Sequence, residues 1–245
     1  MNAERGFTLI EMAIAIFIIG LLLGGILVPL TTQVEQRQIR DTQKVLEEIK
    51  EALVGFAIVN GRLPCPDKTA GAATGLNDTP NDGVEDFNPL TGICSTIGIN
   101  NTSYGNVPWA TLGVAPTDAW GNRFRYSVTD NYARRPPASG LLTLSTAGVI
   151  RVYTDASFTT GLTLVSPAVI LSHGRNGWGA INSLTNVANA APASLDELEN
   201  TDDDDRFVSR PPSGLGAAAG EFDDIVTWLS RSTLMNRMVA AGKLP

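Results

Sequence analysis

The sequence predicts an α+β protein in which one long N-terminal helix leads into a small antiparallel sheet. Three observations predict it. No charged residue occurs between Met12 and Val34, and Met12–Leu30 is apolar apart from glycines and Pro29. Beyond that run, Val45, Leu46, Ile49, Leu53 and Phe56 recur at helical spacing, while Arg40, Asp41, Lys44, Glu47, Glu48 and Lys50 fill the other faces. After Gly61 the chain turns rich in Gly, Pro, Asn and Thr and holds only short strand-like runs.

Taken in order, residues 7–58 read as one helix, because no Gly lies between Gly25 and Gly55. Its first part, 7–30, is long enough to cross a bilayer, and 31–58 is amphipathic. Pro29 removes one helix hydrogen bond and predicts a kink. Gly20 and Gly24 form a G-x-x-x-G, which lets helices approach closely in lipid or simply faces lipid. Asn60-Gly61 stops the helix, and Pro64 and Pro66 fix an extended start to a head domain over 59–245. Residues 67–106 lack periodicity and read as a long loop. Strands are expected at Arg123–Val128, Leu141–Ser145, Val149–Tyr153 and Thr163–Ser172, with Leu141–Tyr153 as a hairpin. A last amphipathic helix is expected over Phe222–Met238, with Asp223 and Asp224 at its dipole-positive end.

Composition excludes much. The 245 residues carry 18 basic and 25 acidic side chains, net −7, which argues against a chain that coats nucleic acid by its overall field. The single histidine, His173, rules out sites that need two imidazoles. Cys65 and Cys94, the only cysteines, rule out four-thiolate metal sites. Ser172-His173 suggests a hydrolase only superficially, since no G-x-S-x-G is present; the string reads better as a strand end and glycine turn. The expectation is a protein that is not an enzyme. The tryptophans read as packing residues, and Arg134-Arg135-Pro136-Pro137 as a solvated basic turn.

The front end admits a secretory signal, a plain anchor, or a processed assembly helix. A secretory signal has a shorter apolar stretch followed by a small-residue cleavage site, and Thr31–Gln36 offers no Ala-x-Ala. Glu11 discriminates further. A carboxylate carried to mid-membrane costs about 2.5–3.5 kcal/mol, so it needs a partner unless headgroups solvate it. The string Arg5-Gly6-Phe7-Thr8-Leu9-Ile10-Glu11 before a long apolar helix resembles the cleavage and methylation motif of type IV prepilins and pseudopilins. That resemblance implies a pilin-like fold and cleavage between Gly6 and Phe7 by a prepilin peptidase. It also implies N-methylation of Phe7 and pairing of Glu11 with such an amine inside a filament. The implied partners are other pilins or pseudopilins, an assembly platform with its ATPase, and the cytoplasmic membrane that holds the chain before the filament takes it.

Asp118-Ala119-Trp120-Gly121-Asn122 with Tyr126 resembles the D-x-W-G-N-x-x-x-Y segment of major pseudopilins of type II secretion. Leu171–Gly177 and Phe222–Trp228 are similar to that family's S-x-G-x-x-G and A-D-I-x-x-W segments. The 245-residue length and the insertions favour a minor type IV pilin; Asp118–Tyr126 and Phe222–Trp228 favour the secretion relative. A membrane-anchored binding protein that never polymerises is the remaining alternative.

Outside the cytoplasmic membrane Cys65 and Cys94 could close a disulfide across most of the long loop, worth about 3–4 kcal/mol. Two buried free thiols are the rival arrangement. In the secretion relatives the late loop binds calcium, and calcium wants six to eight oxygens on flexible backbone. Asp78, Asp82, Glu85 and Asp86 share one loop, Asp202–Asp205 another, and Asp223 and Asp224 stand together. Asp78, Asp82, Asp86, Asp223 and Asp224 are therefore the candidate calcium ligands. Against them stand a solvated, self-repelling loop for Asp202–Asp205 and helix capping for Asp223 and Asp224.

Overall fold

The computed structural model describes residues 8–71 and 78–244, with backbone alone for 22–31. In chain order the elements are α1 (Leu9–Asn60), β1 (Phe87–Asn88), β2 (Ile93–Cys94), β3 (Thr102–Asn106), α2 (Trp109–Leu112), β4 (Arg125–Thr129), α3 (Asp130–Ala133), β5 (Ile150–Tyr153), β6 (Gly161–Ser166), β7 (Ala168–Ser172), α4 (Leu195–Glu199), β8 (Arg206–Val208), β9 (Ile225–Trp228) and α5 (Arg231–Ala240). The class is α+β, as expected. The chain divides into two compact units, Met1–Arg40 and Asp41–Pro245.

In the first unit every described side chain from Thr8 to Leu21 is exposed. Leu9, Ile16 and Phe17 are 89, 65 and 68% exposed, apolar surface that water alone does not favour. Among the described residues no helix is long and apolar enough to cross a membrane. The span expected at 7–30 overlaps residues 22–31, whose side chains lie outside the description, as does Gly24 of the G-x-x-x-G.

The second unit begins with the amphipathic part of α1. Thr42, Leu46, Ile49, Leu53 and Ala57 are buried, four, three, four and four residues apart, which is one helix face. Val45 and Phe56, expected on that face, lie at its half-buried margin. Gly61 ends the helix: it sits at φ +75° and its N–H donates to the Ala57 carbonyl at 2.8 Å, a left-handed cap that costs glycine nothing.

This face packs on an antiparallel sheet of order β3-β4-β7-β9. Tyr126 opposes Ile170 in the β4–β7 register. Strand β7 is buried along its whole length and alternates between two cores. Ala168 and Ile170 join Leu46, Ile49, Leu53, Tyr126 and Val128 beneath α1, with Leu234 and Met238 of α5. Val169 and Leu171 join Ile150, Val152 and Phe207 on the opposite side. The second core belongs to a three-stranded sheet, β6-β5-β8, in which β5 and β8 run parallel. The head is therefore helix, sheet and second sheet rather than helix on one small sheet.

Four expectations change. Thr102–Asn106, expected as loop, is strand β3, paired along its length with β4. Its sequence lacks apolar alternation because backbone approaches it closely: a Cβ on Gly105 would lie 2.3 Å from the Asp67 carbonyl oxygen. Leu141–Tyr153 is not a hairpin. Only Ile150–Tyr153 is strand, and Gly148 is needed where the chain passes within 2.3 Å, at Cβ, of the Val165 carbonyl oxygen. Thr163–Ser172 is split at Pro167, which has no N–H for a ladder, into strands of different sheets. Finally, Ile225–Trp228 is strand β9, its β-branched and aromatic residues pairing with Val169–Ser172, and the last helix starts only at Arg231. Asp223 and Asp224 thus precede a strand, and the helix-capping reading fails.

Candidate functional site

Gly6 and Phe7, the expected cleavage and methylation residues, lie outside the described residues. Glu11 does not. Thr8 N–H and Thr8 Oγ donate to Glu11 Oε2 at 3.0 and 2.9 Å, and Glu11 N–H donates back to Thr8 Oγ at 3.3 Å. This is a capping box: the first-turn acid and the preceding threonine satisfy amides that the helix itself leaves open. The T-x-x-E spacing announces it in the sequence, a signal the reading of Glu11 as a charge partner passed over.

In the head, Cys65 and Cys94 form a disulfide with Cα atoms 5.3 Å apart. Strand β2 carries Cys94 opposite Phe87 of β1, so the bridge ties the β1–β2 pair to the proline-fixed segment after α1. Beside it Glu85 accepts from Arg62 Nη1 and Nη2, both at 2.8 Å, from Arg135 Nη2 at 2.6 Å and from Cys65 N–H at 3.1 Å. Burial works to raise the Glu85 carboxyl, but the Arg62 bonds and the two guanidinium charges outweigh it and hold it below its usual range. Arg135 also lies 3.3 Å over the Phe87 ring, and Arg134 Nε donates to Asp130 Oδ2 at 2.7 Å. The expected solvated basic turn is instead a set of pinned arginines.

The acids of the long loop have partners of their own. Asp78 pairs with Lys68 Nζ at 2.7 Å, Asp86 Oδ2 accepts from Lys68 N–H at 2.7 Å, and Asp82 Oδ1 accepts from Val84 N–H at 2.8 Å. Burial pushes Asp67 up to about 8 and Asp86 up to about 7, with the neighbouring carboxylates adding to both. Among the described residues none of Asp78, Asp82 and Asp86 joins a carboxylate group tight enough to share an ion.

Asp223 and Asp224 do, with Glu197 of α4: one oxygen from each lies within 4.8 Å of the others. Asn176 N–H donates to Asp223 Oδ2 at 2.9 Å, Asn176 Nδ2 to Glu197 Oε1 at 3.0 Å, and Asp223 N–H to the same Glu197 oxygen at 3.0 Å. Asn200 Nδ2 donates to Asp224 Oδ2 at 2.7 Å, and His173 Nδ1 lies 3.6 Å from Asp224 Oδ1. Burial, then mutual repulsion, pushes Glu197 up to about 7; burial likewise pushes Asp223 up to about 6. Asp223 Oδ1 is buried without a hydrogen-bond partner among the described residues. Three hard oxygen donors with one oxygen open suit a calcium-type ion. Glu197 was not legible as a member, since only the tertiary fold brings α4 beside Asp223.

Asp202–Asp205 is not a free acidic loop. Asp204 and Asp205 are buried; Arg206 pairs with Asp204, Arg151 with Asp205 and Arg125 with Asp203. Glu199, Asp202 and Asp204 also converge, but Arg206 already lies 3.3 Å from Glu199.

Two of the three segments compared above with secretion relatives meet physically. Asp118 Oδ1 accepts from Trp120 and Asn122 N–H at 3.0 and 2.9 Å, and Asp118 Oδ2 from Ser172 Oγ at 2.7 Å. His173 follows at the strand end, its carbonyl accepting from Gly177 N–H at 3.0 Å, which is the turn expected there. Among the described residues the Ser172 hydroxyl is committed to Asp118, and no base is seen to activate it.

No curated protein and no solved structure matches the chain. Residues 1–27 match the family described as the prokaryotic N-terminal methylation motif, the segment that holds Gly6, Phe7 and Glu11 and opens α1. That motif stands in front of a long helix and an α+β head, an arrangement consistent with a prepilin-like protein.

Proposed function

We propose that the chain is a structural subunit rather than an enzyme, a minor pilin of a type IV pilus. In this reading a prepilin peptidase cuts between Gly6 and Phe7 and methylates the Phe7 amine. The apolar front of α1 holds the subunit in the cytoplasmic membrane with its head in the periplasm, until the platform and its ATPase move it into a filament of fellow pilins. The observation that carries the reading is the methylation motif at 1–27, continued by exposed apolar residues from Leu9 to Leu21. An apolar helix surface of that kind needs lipid or neighbouring helices, and a filament supplies the second when it removes the first. The test is the intact mass and first residue of the protein recovered from bacterial membranes. A methylated Phe7 start is expected; an unprocessed Met1 start in a host with active peptidase refutes the proposal and leaves a permanent anchor.

A pseudopilin of type II secretion is the second reading, and the Asp118–Ser172 bond favours it, because it couples two of the three segments that resemble that family. Under either reading Glu197, Asp223 and Asp224 hold calcium and fix the late loop against β9. Deleting the gene and scoring surface pili and twitching against protein export separates the two. Loss of export with pili intact assigns the chain to secretion.

A further inference from the structure

The head contains a cavity of about 170 Å³ that neither the disulfide loop nor the carboxylate centre accounts for. Thr69, Asn106, Arg123, Arg125, His173 and Asp203 line it. Arg123 and Arg125 flank Phe124, which is buried in the core under α1, and both arginines line the cavity. Arg125 pairs with Asp203. Arg123 has no carboxylate within salt-bridge distance among the described residues. It lies 3.9 Å over the Trp109 ring and reaches only the Pro116 carbonyl, at 3.4 Å.

Both Nε–H groups are buried and lack a hydrogen-bond partner among the described residues. The one carboxyl whose field reaches Arg123 is Asp67, which burial pushes up to about 8 and so keeps mostly protonated at pH 7. The wall thus offers two guanidinium groups against the single carboxyl of Asp203, with two donors unused. A polar cavity of this kind is hydrated or occupied, and its charge selects an anion. Its volume admits a few non-hydrogen atoms, not a nucleotide.

We propose that this cavity binds one small oxyanion, inorganic phosphate or a carboxylate of similar size, between Arg123 and Arg125. The proposal does not depend on which filament the chain enters. It is tested by isothermal titration of the detergent-solubilised full chain at pH 7 and low ionic strength, with inorganic phosphate and acetate in separate runs and sodium chloride as control. Saturable one-to-one binding of phosphate or of acetate is expected, and whichever binds names the ligand chemistry. Arg123→Gln should weaken it at least tenfold. Ala188→Phe, a substitution at an exposed wall residue that leaves every charge in place, should weaken it comparably by filling the mouth, and it carries the test if Arg123→Gln does not fold. No saturable binding of either anion, the same heat from chloride, or unchanged affinity in Ala188→Phe overturns the proposal.

Discussion

Thr8 and Glu11 cap the start of α1 reciprocally, the threonine hydroxyl accepting from the glutamate amide while the glutamate carboxylate accepts from the threonine. Glu11 therefore has a structural task within its own chain, separate from any charge pairing with a methylated amine. The two tasks separate by substitution. Glu11→Gln keeps an oxygen for the capping box but removes the charge, whereas Thr8→Ala keeps the charge and removes the cap, at a cost of about 1 kcal/mol. If filament entry depends on charge, Glu11→Gln accumulates in the membrane fraction and is missing from sheared filaments, while Thr8→Ala is incorporated. Immunoblots of both fractions decide it, and equal incorporation of the two variants removes the assembly role from Glu11.

Arg62, Glu85 and Arg135 form a largely buried charge cluster beside the disulfide. Glu85→Gln leaves two guanidiniums without a countercharge, and breaking a buried pair from one side costs about 3–5 kcal/mol. Urea unfolding of the oxidised protein should show the midpoint fall without a change in slope. A loss below about 1 kcal/mol would mean that water reaches the cluster and screens it.

The Cys65–Cys94 bridge closes a loop with a sequence separation of 29. In the chain-entropy picture its removal by a double Cys→Ser substitution costs about 3–4 kcal/mol. The same loss should follow reduction of the native protein, and comparison of the two by denaturant titration checks that the effect comes from the crosslink and not from serine in the core.

Much of this was legible because the physics was local. Leu46, Ile49 and Leu53 on the buried face of α1 follow from helical period, the helix end follows from Asn60-Gly61, and β4 overlaps the strand expected at Arg123–Val128. The misreadings fall where tertiary contacts override the local signal. Strand β3 carries Gly105 because the Asp67 carbonyl leaves no room for a side chain, so its sequence looks like a turn. Asp223 and Asp224 before an apolar run imitate a helix start, yet Ile225–Trp228 is drawn into the sheet by β7. Glu197 joins them through folding alone, and no spacing in the sequence relates the two.

Asp67 makes stability fall as pH rises. Burial raises its folded pKa to about 8, against about 3.9 in the unfolded chain, so the native state binds the proton more tightly. Its contribution is complete below about pH 4 and is lost as pH climbs through about 8; Asp86, raised to about 7, acts in the same sense. The thermal midpoint should drop between pH 5 and pH 9. Asp67→Asn should flatten that slope while lowering the midpoint at pH 5, since its amide cannot accept from both Asn81 and Gly83. An unchanged slope would show that Asp67 is solvated in the native protein.

The carboxylate centre makes the opposite demand on pH once calcium is present. Glu197 and Asp223 are raised to about 7 and about 6, so at pH 5 both are largely protonated and at pH 8 both are charged beside Asp224. A divalent ion must displace those protons, and its affinity therefore rises across that interval. At pH 8 a calcium concentration one hundred times the dissociation constant stabilises by about 2.7 kcal/mol, and the gain should shrink steeply toward pH 5. Glu197→Gln retains an oxygen for Asn176 and Asp223 but removes a charged ligand, so its calcium-free midpoint at pH 8 should rise while its response to calcium falls. Scanning calorimetry with calcium and then with chelator reads both effects. If Glu197→Gln responds to calcium as the wild type does, the ion is held elsewhere and these three carboxylates only brace α4 against β9.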